Sequence, residues 1–447
     1  MDSWAGRIRR YEKKGIKLMN IKDLNMNVST LGECHIPSPM ETRQFVHDED
    51  RILYHQRTEK IRAYLSSGEE PPSFEMAGPR ENIYFDPSKL KCGIVTCGGL
   101  CPGLNDVIRG IVMGLYYHYG VKTVFGFRYG YEGLTHRYGH TPLELTPDSV
   151  NDIHKEGGTI LGTSRGPQDI AEMVDVLERM NVRLLFTIGG DGTLRGAQAI
   201  SEEIASRGIK IGVIGVPKTI DNDISYVDTS FGFETAVSYS RTAVYSAHNE
   251  AIGARNGIGL VKLMGRESGF IPAYAALANN DVNFCLIPEV RFSLDVFLKT
   301  LKERLEHKGH AVIVVGEGAG QDLVGRTEAR DASGNIRFGD VGIFLRDKIR
   351  TYFKKRRMEV DLKYIDPSYT IRSMPANPHD SGFCLLLGHN AVHAGMAGKT
   401  NMLIGYWKGE FTHVPISLAV SSRKKIDPEG RFWSTILSCI GQPREMT

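Results

Sequence analysis

The sequence predicts an α/β fold in which a parallel sheet is covered on both faces by helices, and three observations predict it. Six short runs, residues 92–97, 184–188, 211–216, 258–264, 311–315 and 402–406, are almost wholly apolar and rich in β-branched side chains. Strands of that composition belong in sheets buried on both sides. Helix-like segments of roughly ten to twenty residues separate the runs, as parallel crossover connections require. Five of the six runs are followed by glycine and polar residues at the end where α/β sheets place their ligands.

The length of 447 residues allows two to four domains at about 150 residues each. Residues 1–90 differ from the rest, with few periodic apolar runs and a Gly-Glu-Glu-Pro-Pro stretch at Gly68–Pro72, and are read as an N-terminal extension. The 55 basic residues nearly balance 52 acidic ones, and the densest basic run, Lys354 to Arg357, reads as a solvated face, so nucleic acid is not an expected partner. No 18 apolar residues run without charge, and Met1 to Lys17 mixes acids and bases, so neither a membrane span nor a secretory leader is expected. The expected location is the cytoplasm; the last residues, Arg444-Glu445-Met446-Thr447, do not form a Ser-Lys-Leu type address.

Seven cysteines, an odd number without a Cys-x-x-Cys pair, predict free thiols. Cys97 and Cys101 bracket a glycine turn; a redox switch is one reading, and small residues beside a tight backbone are the favoured one.

The loops in chain order carry the chemistry. After the first run comes Gly98-Gly99-Leu100-Cys101-Pro102-Gly103, and after the second Gly189-Gly190-Asp191-Gly192-Thr193; each opens a helix, where glycine lets the backbone approach an anion and free N–H groups attract it. Gly398-Lys399-Thr400 looks like the end of a P-loop, but the position of its first glycine is His393, and the dinucleotide fingerprint is also absent. Phosphoryl transfer needs magnesium on carboxylates, cations at the transferred group and a proton acceptor. Asp191 and Asp223 are candidate Mg²⁺ ligands, Asp221 is the candidate base, Thr219 can donate to a phosphate oxygen, and Arg266 and Arg165 are the candidate cations. Glu317 can accept from sugar hydroxyls, while Lys363, Tyr369 and Arg372 form a second set suited to an anion. His389 and His393, four apart in an apolar stretch, are read as structural.

These loops, in this order, resemble the phosphofructokinase family, in particular its long branch related to the trypanosomatid ATP-dependent type, over roughly residues 91–425. Gly-Gly-Asp-Gly-Thr is shared with NAD and diacylglycerol kinases; Thr219-Ile220-Asp221-Asn222-Asp223 together with Met264-Gly265-Arg266 is the more specific signature. The resemblance implies that Asp221 is the base for the 1-hydroxyl of fructose 6-phosphate and that Thr219, Ile220, Met264, Gly265, Arg266 and Glu317 hold this substrate. It assigns Tyr369, Thr370, Ile371 and Arg372 to the 6-phosphate, with Lys363 nearby, and Gly99, Arg165, Gly166, Gly190, Asp191, Gly192 and Thr193 to ATP, with Asp191 on Mg²⁺. An arginine that short bacterial members use for a neighbour's 6-phosphate falls here on Gly257, with Arg255 two residues away.

Two positions bear on the phosphoryl donor. Pyrophosphate-dependent relatives place aspartate where this chain has Gly192, which favours ATP; they also carry lysine at the position of Lys218, which favours pyrophosphate. Gly192 weighs more because an aspartate there would meet the nucleotide itself, whereas lysine can serve either donor. ATP is therefore the expected donor and pyrophosphate the alternative. A catalytically silent sugar-phosphate sensor would have no need of Asp191, Asp221, Asp223 and Arg266 together, and an NAD or lipid kinase would have no use for 264–266 and 369–372. The resemblance further implies two doubly wound lobes, 91–232 with 371–425 for the nucleotide and 233–370 with 426–447 for the sugar phosphate, and a homotetramer or homodimer.

Overall fold

A computed structural model describes residues 25–325, 337–444 and 446. The whole Met1 to Lys17 start and the rest of the chain to residue 24, as well as Glu445 and Thr447 of the C-terminal tetrapeptide, lie outside the described residues.

Thirteen strands carry the two main sheets: β1 (Arg51–Leu53), β2 (Ser73–Met76), β3 (Lys91–Thr96), β4 (Thr123–Phe127), β5 (Leu143–Glu144), β6 (Leu184–Gly189), β7 (Gly212–Pro217), β8 (Gly257–Leu263), β9 (Phe284–Leu286), β10 (His310–Gly316), β11 (Asp361–Ile365), β12 (Met402–Trp407) and β13 (Glu410–Pro415). All six apolar runs are strands, each within a residue or two of its expected ends. The larger sheet has the order β1-β2-β13-β12-β7-β6-β3-β4-β5 and the smaller one β9-β10-β8-β11. The smaller sheet is parallel throughout. The larger one is parallel only from β12 to β4, with antiparallel strands at both edges. The departure from a purely parallel sheet has a local cause: β12 and β13 are joined by Lys408 and Gly409, both with positive φ, a two-residue turn that can only return the chain antiparallel.

Alternate strand residues enter opposite cores, as the period of two demands. Cys92 and Ile94 of β3 and Ile214 and Val216 of β7 face one core, while Val95 and Val213 face another. The first core also receives Val312 and Val314 of β10, so a single apolar body runs between the two sheets. Ala311, Ile313 and Val315 face a third core on the far side of the smaller sheet. Helices α1 (Leu104–Met113), α2 (Ile170–Arg179), α3 (Asp191–Ser206), α4 (Phe233–Ile252), α5 (Leu294–Lys308), α6 (Val341–Lys355) and α7 (Pro378–Met396) cover these faces. Helices α1 and α7 come close because Gly110 and Gly388 face each other's backbone: a Cβ on Gly110 would lie 3.1 Å from the Leu385 carbonyl, and one on Gly388 3.0 Å from the Ile111 nitrogen.

The larger sheet's outer edge is fastened by a buried charge cluster. The Glu75 carboxylate takes bonds from Arg80 at 2.8 Å, Lys399 at 2.8 Å and His413 Nδ1 at 2.9 Å, and Asp48 bonds both Arg80 and Lys399. Burial alone would raise the Glu75 carboxyl, but His413 and Lys399 outweigh it and bring it down to about 2. Lys399, the lysine of the P-loop lookalike, is thus committed to this edge. On α7, His393 Nδ1 meets the Tyr119 hydroxyl at 2.9 Å in the interior, and His389 packs edge-on against His118, so both histidines are structural as expected. All seven cysteines are free. Cys97 and Cys101 are buried, and burial holds both thiols far above the ordinary range, to about 12 for Cys97. Cys97 packs into one core and Cys101 into another, which suits the favoured reading of small residues beside a tight backbone.

Candidate active site

The loops beyond the carboxyl ends of β3, β6, β7, β8 and β10 line one cleft of about 980 Å³. Backbone bonds between neighbouring loops set their positions: Cys97 N–H donates to the Ile188 carbonyl and Lys218 N–H to the Gly189 carbonyl, both at 3.0 Å. Gly98, at φ +87°, turns the chain so that its N–H reaches the Ser164 carbonyl at 3.0 Å and its carbonyl accepts from Thr163 Oγ1 at 2.7 Å. The turn thereby delivers Arg165 to the cleft.

Three cations surround the Gly99 peptide. The Lys218 ammonium donates to the Gly99 carbonyl at 2.7 Å, and a Cβ on Gly99 would lie 3.1 Å from Arg165 Nη2 and 3.6 Å from Arg372 Nη1. Burial lowers the Lys218 pKa, since an ammonium loses its water there. Opposite, α3 begins at Asp191, and no side chain caps its first turn. Nothing lies within 4 Å of where a Gly192 Cβ would be, so the helix N-terminus faces open space that an anion can enter.

The acids lie between these cations and the smaller sheet. Asn222 takes the left-handed conformation that asparagine tolerates, and its Oδ1 accepts from Ser230 N–H at 3.0 Å and Lys424 Nζ at 3.0 Å. This turn presents Asp221 and Asp223 to the same cleft. Thr219 Oγ1 donates to Asp223 Oδ1 at 2.7 Å, Arg423 Nη1 donates to Asp223 Oδ2 at 2.8 Å, and Arg423 Nη2 lies 3.7 Å from Asp191 Oδ2. Arg195, one turn along α3, bonds Asp191 as well. Asp221 Oδ2 accepts from the Arg266 N–H at 3.4 Å, while Oδ1 is buried without a hydrogen-bond partner. Burial first, then the nearby Asp223 and Glu317 carboxylates, raise the Asp221 carboxyl well above the carboxylate range. Burial also raises Glu317, against the pull of Arg266. The Arg266 guanidinium stacks 4.4 Å from the Phe338 ring, which gives it a fixed flat platform.

Residues 91–395 match the family model described as Phosphofructokinase. The chain belongs to the phosphofructokinase family. Among its relatives, the ATP-dependent 6-phosphofructokinase of Borreliella burgdorferi is 49% identical over 95% of this chain and 98% of its own. The protein of the same name from Trypanosoma cruzi is 46% identical over 88% of this chain and 82% of its own, so the kinship with the trypanosomatid type is borne out. Among solved structures, the pyrophosphate-dependent phosphofructokinase of Marinobacter aquaeolei superposes with a TM-score of 0.65 at 19% identity, over 78% of this chain and 91% of that one. The phosphofructokinase of Saccharomyces cerevisiae gives 0.58 at 23% identity, over 74% and 45%. At those identities the likeness establishes the shared phosphofructokinase fold and nothing about the donor.

Within this phosphofructokinase cleft lie Gly99, Arg165 and Gly166; Gly190, Asp191, Gly192 and Thr193; Lys218, Thr219, Ile220, Asp221 and Asp223; and Met264, Arg266, Glu317, Tyr369 and Arg372. Four expected residues do not line it. Gly265, at φ +127°, serves through its carbonyl, which accepts from Gly318 N–H at 3.1 Å. Ile371 is in the core, Thr370 is exposed on the same short helix, and Lys363 pairs with Asp361 at 3.3 Å. Gly257 has no room for an arginine, because its Cβ would strike the Ala251 backbone, while Arg255 is exposed. The sequence reading missed Arg195 and Arg423. Arg195 had a signal, since residues four apart on a helix share a face; Arg423 had none, being 200 residues from Asp223.

Proposed function

We propose that the chain is an ATP-dependent 6-phosphofructokinase, which transfers the γ-phosphoryl group of ATP to the 1-hydroxyl of fructose 6-phosphate and yields fructose 1,6-bisphosphate and ADP, a step of glycolysis. The observation that carries the choice of donor is the open space at Gly192, at the uncapped N-terminus of α3. A nucleotide phosphate can lie against those N–H groups, where an aspartate carboxylate would repel it.

The chemistry follows from the placement of charge. Asp221 takes the proton of the 1-hydroxyl as the sugar oxygen attacks the γ-phosphorus and the bond to the β–γ bridging oxygen breaks. A desolvated carboxylate is a stronger base than one in water, and cations that enter with the substrates restore its ionised form. Arg165 and Arg266 neutralise charge on the equatorial oxygens, and Thr219 donates to one of them. Glu317 and Met264 hold the sugar, and the 369–372 segment, with Lys363 nearby, serves its phosphate across a subunit interface of the proposed assembly.

Asp191 and Asp223 suit Mg²⁺, which binds ATP enzymes through one or two carboxylates plus substrate phosphates. The Arg423 guanidinium already lies against both, so the pair is arranged to share a cation. When bound, Mg²⁺ would offset negative charge on the β- and γ-phosphates.

We read residues 91–232 with 371–425 as the nucleotide lobe and 233–370 with 426–447 as the sugar-phosphate lobe, with the N-terminal extension joined to the former through β1 and β2. The proposed assembly is a homotetramer or homodimer, and the proposed location the cytoplasm; among the described residues no helix is long and apolar enough to cross a membrane.

Lys218 is the residue that favours a second reading, pyrophosphate as donor. A coupled assay with fructose 6-phosphate and Mg²⁺, comparing ATP with pyrophosphate, tests both. Turnover with ATP alone is the expected result. Turnover with pyrophosphate alone would reverse the choice of donor, and silence with both would reject the kinase reading.

A further inference from the structure

Arg423 occupies a position that phosphoryl-transfer chemistry leaves unassigned. Its guanidinium spans the two carboxylates suited to a metal, 2.8 Å from Asp223 and 3.7 Å from Asp191. Its backbone is fixed on both sides. Arg423 pairs with Ile224 in an antiparallel bridge, the Ser422 carbonyl accepts from Ser225 Oγ at 2.9 Å, and Lys424 N–H donates to the Asp223 carbonyl at 2.9 Å. The partly buried Lys424 side chain then locks the segment by donating to Asn222 Oδ1, the Val227 carbonyl and the Asp228 carbonyl, at 3.0, 2.7 and 2.8 Å. The side chain of Arg423 itself is 34% exposed and lines the cleft, so it can swing while its root stays still.

Two carboxylates that face one space repel each other unless a cation lies between them. We propose that Arg423 is the resident counter-ion of the Asp191–Asp223 pair, yields the pair to the divalent cation, and then binds the phosphates of the incoming donor. The main-chain anchors keep the displaced guanidinium at the cleft, which in the proposed reaction also receives the donor's phosphates. Arg195 does not duplicate this role, because it bonds Asp191 alone of the two. The inference rests on the reading of the cleft as a phosphoryl-transfer site that uses a divalent metal.

The test uses Mn²⁺ alone, followed by electron paramagnetic resonance on the full chain without nucleotide, for the wild type, Arg423→Met, Arg423→Lys, Asp223→Asn and Asp191→Asn. Loss of the competing guanidinium is expected to tighten Mn²⁺ binding by roughly two- to five-fold in Arg423→Met, the scale of a partly exposed ion pair. The KM for MgATP is expected to rise about ten-fold in the same variant, as a charged hydrogen bond to phosphate is lost. Arg423→Lys, a point charge unable to bridge both acids, is expected to lie between the two and carries the test if Arg423→Met does not fold. Unchanged or weaker Mn²⁺ binding in both arginine variants, with binding lost in Asp223→Asn, would overturn the counter-ion role alone. Mn²⁺ binding that survives in Asp223→Asn and Asp191→Asn would instead overturn the metal-site reading and the inference with it.

Discussion

The Lys218 ammonium donates to the carbonyl of Gly99 at 2.7 Å, which ties the loop after β7 to the glycine turn after β3. Arg165 and Arg372 converge on the same glycine from other elements. Lys218 therefore fixes the glycine turn relative to the Thr219–Asp221 loop, which the proposed reaction uses, whichever donor is bound. Lys218→Met is expected to lower kcat/KM for ATP by roughly ten- to hundred-fold, the worth of one charged hydrogen bond in a buried setting. Steady-state kinetics check this; a variant within two-fold of wild type would free Lys218 of that role.

Asp221 has one oxygen held by the Arg266 N–H and one buried without a partner. An acceptor kept unpaired in the interior is costly unless a ligand supplies its donor, and in the proposed reaction the sugar hydroxyl is that donor. Asp221→Ser is expected to cut kcat by about 10²- to 10⁴-fold with little change in fructose 6-phosphate affinity. Calorimetric binding and a coupled assay separate the two effects; kcat within a few-fold of wild type would remove Asp221 as the base.

Gly192→Asp separates donor choice from folding. The added side chain enters open space in the first turn of α3, where a negative charge favours the helix dipole, so thermal stability is expected to hold or rise slightly. The KM for ATP is expected to rise about ten-fold or more through repulsion of the phosphates. An unchanged KM would show that the nucleotide lies elsewhere.

His393 makes a prediction about acid. Burial, helped by His118 and His389, holds its pKa down to about 3, against about 6.5 in an unfolded chain. Below pH 6.5 the unfolded chain takes up a proton that the folded chain refuses, so stability present above pH 6.5 drains away as pH falls toward 3. His393→Gln keeps a polar partner for Tyr119 and removes the titration. Its free energy of unfolding, from denaturant titration, is expected to fall less than that of the wild type between pH 6.5 and 5, by up to about 1.4 kcal/mol per pH unit. Glu75 is paired and its loss begins only below about pH 4.5, as its carboxyl protonates toward about 2, so it does not blur this window. Parallel pH curves would refute the assignment.

The strands and the loops that follow them were legible because both are local patterns. A run such as 184–188 can be buried on two faces only in a sheet, and Gly189 to Thr193 can be read without knowing what lies opposite. The arrangement of acids and cations was legible only in part. Asp191, Asp221 and Asp223 lie in such loops, but Arg423 reaches them by a bridge to Ile224 that no spacing announces. The antiparallel flank was hidden for the same reason: nothing in Ser73–Met76 names Glu410–Pro415 as its partner.

That flank has a consequence for how the chain comes to be folded. Glu75 and His413 meet across 338 positions, and β2 needs β13 as its neighbour. During synthesis the segment made early waits for almost the last one before its carboxylate finds Lys399 and His413. In the interval Phe74 and the open side of the sheet are exposed to any other chain with an unpaired strand. Completion of the sheet is therefore a late event of high contact order, and the newly made protein is most vulnerable to aggregation just before its C-terminal strands emerge.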